Sequence, residues 1–152
     1  MVGFSYLRTF KIKMTGQLYI NDKDAWITWG VRLRRGSYDA LNLGAPQKEY
    51  VKNSLSSQNG SQYFTDNSKI DERQVSILFY IEGSTNRQFY DRKKAFEDEL
   101  RKGLLLFRVP GQFTVYKLIL SDFTEFSSYD SYKKGFITAR FNEPNPQDRI
   151  QL

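Results

Sequence analysis

Two stretches of the chain alternate apolar and polar residues with a period of two, which is typical of a half-buried β-strand. In Trp26–Arg34 the apolar face holds Ile27, Trp29, Val31 and Leu33. In Arg73–Gly83 it holds Val75, Ile77, Phe79 and Ile81. The pattern predicts a strand in each stretch, with these residues facing the core. It places Trp29 in the core and Trp26 on the opposite face, beside Arg32.

One stretch instead has the spacing of an amphipathic helix. In Asn86–Lys102, Phe89, Phe96 and Leu100 recur at intervals of seven and four, so they share one helix face. Ser84 or Thr85 precedes the stretch as an N-cap, and Gly103 follows it as a terminator. The sequence predicts one long helix, with this apolar face against a sheet.

The remaining regular segments read as short strands. Pro110-Gly111 is predicted to be a turn and Thr15-Gly16 a hairpin turn, and Asp130–Lys134 closes a last hairpin. The strands are predicted at Phe10–Met14, Leu18–Ile20, Leu104–Val109, Phe113–Ser121, Phe123–Tyr129 and Gly135–Phe141. Because strands and helices do not alternate, a parallel sheet is not expected. The predicted fold is mainly β (α+β), an antiparallel β-sandwich or barrel with one flanking α-helix, in a single domain over residues 1–152.

Two segments lack these patterns. Residues 35–69 contain many Ser, Asn and Gly residues and little periodicity, so they are predicted to form a long loop. The loop nevertheless carries apolar residues that a solvated linker would not need, so part of it is expected to dock: Tyr38, Leu41, Leu43, Tyr50 and Val51. The C-terminal tail, residues 143–152, has two prolines and cannot continue a central strand.

The composition excludes several kinds of catalytic and metal site. The 152 residues include no Cys and no His, which excludes Cys/His zinc sites, Ser-His-Asp triads and histidine general bases. Asp22 and Asp24 lack a third ligand at calcium-binding spacing, so a turn before a strand is the preferred interpretation. A glycosidase-type carboxylate pair stays open from Glu72, Glu82, Glu97, Glu99, Glu125 and Glu143. We predict no catalytic site, no metal and no cofactor.

Charge and aromatic content leave two binding functions open. The net charge is +6, and the densest cationic group is Arg32, Arg34 and Arg35. With Trp26 and the abundant Tyr, these arginines would form a base-stacking surface, while the aromatics alone would form a sugar-binding platform. A carbohydrate-binding or nucleic-acid-binding β-module is therefore the alternative function. No apolar run approaches the roughly 20 residues that span a bilayer, and no signal peptide is apparent, so no membrane partner is expected.

Several stretches together resemble one protein family. They are Asn21–Gly30, Asp71–Val75, Tyr90-Asp91-Arg92 with Phe96 and Leu100, Gly103–Pro110, Tyr116–Ile119 and Phe141–Pro146. The order of strands, long loop, central strand, helix and closing strands is similar to that of distal-tail and tail-tube-like proteins of long-tailed bacteriophages. Within that group the chain most resembles tail components encoded by prophages of Bacteroides-type bacteria.

The resemblance implies a structural virion component. Such a protein is made in the bacterial host cytoplasm and resides in the virion tail, where copies close into a homo-oligomeric ring. Its expected partners are itself, other phage tail proteins and DNA passing through the ring lumen. Distal tail proteins often carry a second, C-terminal domain, so this chain resembles the ring-forming domain alone. The expected subunit interface combines the long loop with the start of the tail: Tyr38, Leu41, Leu43, Tyr50, Val51, Asn142, Pro144 and Pro146.

Overall fold

The computed structural model describes residues 14–44, 51–53, 62–64 and 71–152. Three helices occur in these ranges: α1 (Ala25–Trp29), α2 (Ser37–Asn42) and α3 (Asn86–Leu100). A short 3₁₀ turn covers Pro110–Gln112. The strands are β1 (Tyr19–Ile20), β2 (Lys23–Asp24), β3 (Val31–Leu33), β4 (Val51–Asn53), β5 (Gln62–Phe64), β6 (Arg73–Glu82), β7 (Leu104–Val109), β8 (Thr114–Tyr129), β9 (Lys134–Glu143) and β10 (Ile150–Gln151).

One antiparallel sheet forms most of the molecule. Its strand order is β2-β1-β7-β8-β9-β6-β3, and β10 pairs with β8 beside this path. The two edges of the sheet, β2 and β3, are joined by α1 and Gly30 alone, a span of roughly 10 Å at helical rise. The sheet is therefore rolled up on itself around a core. β4 and β5 form a separate antiparallel hairpin.

The core lies between the rolled sheet and α3. At its centre Phe79 of β6 meets Phe96 of α3 edge-on, with ring centroids 4.9 Å apart. Phe107 of β7 and Phe141 of β9 pack on Phe79, and Trp29 packs on Phe96. All five side chains are buried. These contacts connect α1, α3 and three strands through one aromatic cluster.

The predicted fold class is confirmed: the protein is mainly antiparallel β with one long flanking helix. β6 buries Val75, Ile77, Phe79 and Ile81 on one face, as its alternation predicts. Helix α3 buries Phe89, Phe96 and Leu100, and Thr85 Oγ1 accepts a hydrogen bond from the main-chain N of Gln88 as N-cap. β8 and β9 form the predicted last hairpin, with Tyr129 paired to Lys134 beside the turn.

The predicted strand over Trp26–Arg34 is wrong in its first half. Asp24 Oδ1 accepts hydrogen bonds from the main-chain N of Trp26 and Ile27, which starts helix α1. Gly30, with a left-handed φ of 65°, then ends it. Trp29 is in the core as predicted, but Ile27 points outward and is 66% exposed. Only Val31–Leu33 is extended, paired with β6.

Two further differences concern loops and turns. The stretch predicted as a loop over 35–69 contains helix α2 and the β4–β5 hairpin. The two strands predicted at Phe113–Ser121 and Phe123–Tyr129 form one strand, β8, with irregularities between Leu120 and Asp122 and between Phe123 and Glu125. The predicted strand Phe10–Met14 lies almost wholly outside the described residues.

Candidate subunit interface

Arg73 lies where the long loop meets the sheet. It begins β6 on the inward face, in line with Val75 and Ile77. Its Nη1 donates to the main-chain oxygens of Ala40 at 3.1 Å and of Leu41 and Leu43 at 2.7 Å. These carbonyls belong to the C-terminal end of α2, where helix oxygens lack helical partners. One buried guanidinium therefore fastens α2 to the sheet.

Glu143 connects the same arginine to the C-terminal tail. It is paired directly across from Arg73 in the β6–β9 register, and its Oε1 lies 2.9 Å from Arg73 Nε. Arg149 binds the same carboxylate through two parallel hydrogen bonds of 2.8 Å, from Nε to Oε2 and from Nη2 to Oε1. Because charge-assisted pairs of this geometry are strong, the tail is held against the end of β9.

The surroundings of this ion network are desolvated. Arg73 is 5% exposed and Glu143 is fully buried. Burial lowers the pKa of Arg73 from its ordinary value, and the charge of Glu143 opposes that shift. Both arginines lie near the ring of Tyr116: the guanidinium carbon is 5.9 Å from the ring centroid for Arg73 and 5.0 Å for Arg149. The network thus brings α2, in the described start of the long loop, and the tail after β9 to one end of the molecule; both lie in segments predicted to be interface.

The predicted interface residues of the loop divide between core and surface. Leu41 is fully buried in the core, so its apolar surface is already covered within one copy. Tyr38 is half-buried, its hydroxyl donates to Gln17 Oε1 at 3.4 Å, and burial raises its pKa. Leu43 projects into solvent and is 69% exposed. Val51 starts β4 opposite Phe64, while Tyr50 lies outside the described residues.

The predicted interface residues of the tail divide in the same way. Asn142 is half-buried on β9, and its Nδ2 donates to Glu72 Oε2 at 3.1 Å. Pro144 is exposed and Pro146 is buried. Beyond them, Lys117 pairs with Asp148 at 3.0 Å and β10 pairs with the start of β8. Among the predicted residues whose side chains the structure describes, Leu43 and Pro144 are the exposed ones, and they lie on the two segments that the ion network joins.

Strand β8 offers an open edge away from this end. Its first half pairs with β7 as far as Ile119, and its second half pairs with β9. From Leu120 to Tyr129 no described strand pairs with the other edge. Phe126 and Tyr129 on this part remain substantially exposed. An open edge presents unpaired main-chain groups that a strand of another chain could use.

The arginines considered as a base-stacking surface lie on the outer face of the sheet. Arg32 stacks on Tyr80, with its guanidinium carbon 4.4 Å from the ring centroid, and Arg34 stacks on Phe136 at 4.2 Å. Tyr80 and Phe136 are direct partners in the β6–β9 register. Burial is the largest cause that raises the pKa of Tyr80, followed by the charge of Glu82. Tyr80 and Phe136 are therefore covered by these arginines and not open to a base.

Several of the acidic residues considered for chemistry have structural contacts. Glu143 and the buried Glu99 are each held by two cations, the latter by Lys23 and Lys102. Asp22 has a left-handed φ in the turn between β1 and β2, and Asp24 caps α1. Within the described ranges, no group of three acidic side chains is placed to hold a metal ion. In the same part of the chain, no helix is both long and apolar enough to cross a membrane.

Arg73 and Arg149 were not singled out from the sequence, and Glu143 was considered only as an acidic group. The alternation of inward and outward positions along β6 and β9 does give a signal for Arg73 and Glu143. Arg73 shares the odd-numbered face of Val75 and Ile77, and Glu143 shares the face of Ala139 and Phe141. A charge at an inward position of a strand requires a buried partner. Two such positions of opposite sign therefore indicate an ion pair, although not its location.

Comparisons with known proteins concern the fold. No protein-family model matches the chain. No curated protein sequence matches it either. A solved structure with a similar fold is the SPP1 Dit protein, described as a paradigm of the hub adsorption apparatus in phages that infect Gram-positive bacteria. The TM-score is 0.54 at 13% sequence identity, over 86% of this chain and 50% of the Dit chain. This chain thus spans about half the length of Dit, and the likeness establishes a shared fold.

Proposed function

We propose that this protein is a structural component of the tail of a long-tailed phage or prophage, with no enzymatic activity. The observation that carries the proposal is the fold shared with SPP1 Dit over 86% of the chain. The sequence stretches that resemble distal-tail and tail-tube-like proteins point independently to the same class. Residence in the virion tail and an origin in prophages of Bacteroides-type bacteria belong to this proposal.

We further propose that copies of the chain close into a ring. Two features support this. Arg73 binds the end of α2, in the described start of the long loop, and Glu143 binds Arg149 of the tail, so these two parts of the predicted interface lie at one end of the molecule and offer a neighbouring copy a fixed surface. β8 leaves one edge open from Leu120 to Tyr129. Heterologous contacts between different surfaces of identical chains generate rings when the rotation closes. Passage of DNA through the lumen stays a prediction.

The experiment is to co-express the chain with the proteins encoded beside it and to measure the mass of the purified species by light scattering. The proposal predicts co-purification with at least one neighbour, and a mass equal to several copies of the chain. The protein alone is expected to be monomeric at low concentration, because association follows mass action. A chain that stays monomeric and binds none of its neighbours would contradict the proposal.

A further inference from the structure

A cleft separates the short helix α1 from the beginning of α3. Its volume is about 350 Å³, within the range of roughly 300–1,000 Å³ that small-molecule sites occupy. It is far from the candidate interface around Arg73, since its walls come from α1, the end of β6 and the first turns of α3. The lining residues are Trp26, Glu82, Gly83, Ser84, Gln88 and Arg92.

Hydrogen bonds to main-chain groups and two closely packed glycines hold the walls of the cleft together. Arg92 Nη1 donates to the main-chain oxygen of Glu82 at 2.8 Å, and the main-chain N of Glu82 donates to Gly30 O at 3.1 Å. A Cβ on Gly30 would lie 2.4 Å from that same Glu82 oxygen. A Cβ on Gly83 would lie 2.6 Å from the main-chain N of Phe89. The two glycines let α1 and α3 approach β6, so the walls are fixed before any ligand arrives.

The cleft is lined by one aromatic ring, by hydrogen-bond donors and by one acidic residue, Glu82. Trp26 is half-buried and forms one wall. Gln88 Oε1 accepts from Ser84 N at 2.6 Å and from Ser84 Oγ at 2.7 Å. This fixes the amide, whose Nε2 donates to no described residue. Arg92 uses one nitrogen on Glu82 O and pairs with none of the described carboxylates, so further guanidinium N–H groups remain.

We propose that this cleft binds an acidic pyranose, such as a hexuronic acid unit of a polysaccharide. The apolar C–H face of a pyranose ring packs on an aromatic side chain, and Trp26 supplies that surface. The planar donors of Gln88 and Arg92 match ring hydroxyls and a carboxylate. Glu82 also lines the cleft, but its main-chain oxygen is bound by Arg92 and its side chain shares the β6 face of Tyr80, whose pKa its charge raises. The charge of Arg92 therefore favours the acidic sugar over a neutral one. This inference goes beyond the proposed tail function, because assembly requires no ligand.

Titration with glucuronate and with glucose tests the proposal, read from the indole N–H signal of Trp26 and from tryptophan fluorescence. The chain has only one other tryptophan, the buried Trp29, which serves as an internal reference. We expect saturable binding of glucuronate with a Kd on the order of 1 mM, because one sugar ring contributes few contacts. Glucose should bind at least about tenfold more weakly, the difference expected when a charge-assisted hydrogen bond is lost.

Variants separate the cleft from the rest of the surface. Trp26→Ala should abolish glucuronate binding and Trp26→Tyr should retain part of it. Gln88→Ala, which removes a partly exposed side chain, should weaken binding several-fold. Tyr132→Ala is the matched control, because Tyr132 is an exposed aromatic outside the cleft, and it should bind like the parent. The proposal is overturned by an absence of saturable binding, by equal affinity for glucose, or by unchanged binding in folded Trp26→Ala or Gln88→Ala.

Discussion

Arg73 and Glu143 stand directly opposite each other on β6 and β9, joined by a 2.9 Å contact between Nε and Oε1 in a site closed to solvent. They are 70 residues apart in the sequence. Arg73 also binds the end of α2, and Glu143 also binds Arg149 of the tail. This one pair therefore positions α2 and the tail, which are described parts of the two segments that we propose as the subunit interface.

Removal of Arg73 from this ion pair should destabilise the fold. Arg73→Ala leaves Glu143 buried beside Arg149 alone and frees the carbonyls of α2. We expect a loss of about 3–5 kcal/mol in the free energy of unfolding, as for other broken buried ion pairs. Urea denaturation of the parent protein and of Arg73→Ala measures this loss.

The matched control is Arg140→Ala, since Arg140 makes a bidentate pair with Asp122, with two hydrogen bonds of 2.8 Å, on the exposed surface. That pair should contribute much less, because solvent screens an exposed ion pair, and equal losses of stability in the two variants would refute a special role for Arg73.

The aromatic centre of the core gives a second prediction. Phe96→Ala removes the ring that contacts both Phe79 and Trp29, and it should reduce the free energy of unfolding by about 3–5 kcal/mol. Leu104→Ala is the control, because Leu104 begins β7 with its side chain largely in solvent. Its cost should stay within about 0.5 kcal/mol, as for other surface changes. A Phe96→Ala protein as stable as the Leu104→Ala protein would show that α3 does not pack as described.

Gly30 and Gly36 both have a left-handed φ, but only Gly30 is also in close contact with other atoms. Alanine at each position therefore distinguishes the cost of a steric clash from the cost of backbone strain. Gly30→Ala would add a Cβ 2.4 Å from Glu82 O, in addition to placing alanine at a φ of 65°. Gly36→Ala meets no atom within 4 Å at a φ of 97°. Strain alone should cost about 1–2 kcal/mol at Gly36, and Gly30→Ala should cost clearly more. Thermal denaturation compares them, and an equal effect would mean that β6 and α1 are not in close contact at this point.

The buried Glu99 should make stability depend on acid pH. Burial acts to raise its pKa, but hydrogen bonds from Lys102 and Lys23 outweigh it, so the pKa is lowered from its ordinary value of 4.5. A carboxyl with a lowered folded pKa stabilises the protein above its unfolded pKa, and that contribution is lost as pH falls through the folded pKa. Glu99→Gln should therefore flatten the loss of stability below about pH 4.5. The exposed change Asp98→Asn is the control, and identical acid profiles for Glu99→Gln and the parent would contradict the assignment.

Much of the fold could be predicted from local patterns, and the failures have a physical cause. Helix α3 carries its own cap and three turns of consistent spacing, and β6 alternates over ten residues. The short stretch from Ala25 to Leu33 fits both periods. There the cap at Asp24 and the left-handed Gly30 decide for a helix, although Trp29, Val31 and Leu33 alternate.

The candidate interface depends on contacts that no local pattern contains. The pairing of β6 with β9 places Arg73 beside Glu143, and the fold of the tail then brings Arg149 to the same carboxylate. The apolar residues and prolines of 35–69 and 142–146 predict an interface, and the part of these segments that Arg73 and Glu143 connect is α2 and the tail after β9. The sequence does not show that Leu41 packs in the core, because burial within one copy and burial between copies need the same residue type.

An exposed side chain on the long-loop segment tests the proposed interface. Leu43→Ser should weaken self-association and leave the fold intact, because Leu43 is in solvent in a single copy. Ile27→Ser is the matched control, since Ile27 is exposed to a similar degree on α1, outside both segments. Light scattering over a concentration series measures the self-association of both variants.

Deletion of Gly44–Gly60, which removes β4, should weaken self-association more strongly than Leu43→Ser. If the deleted protein associates as strongly as the intact one, this loop is not part of the interface.

Electron microscopy of the protein, purified at high concentration and with its co-expressed neighbours, tests the central claim most directly. The account predicts closed rings with a central opening, each containing a fixed number of copies. Single copies under every condition, or open aggregates without a fixed number of copies, would contradict it.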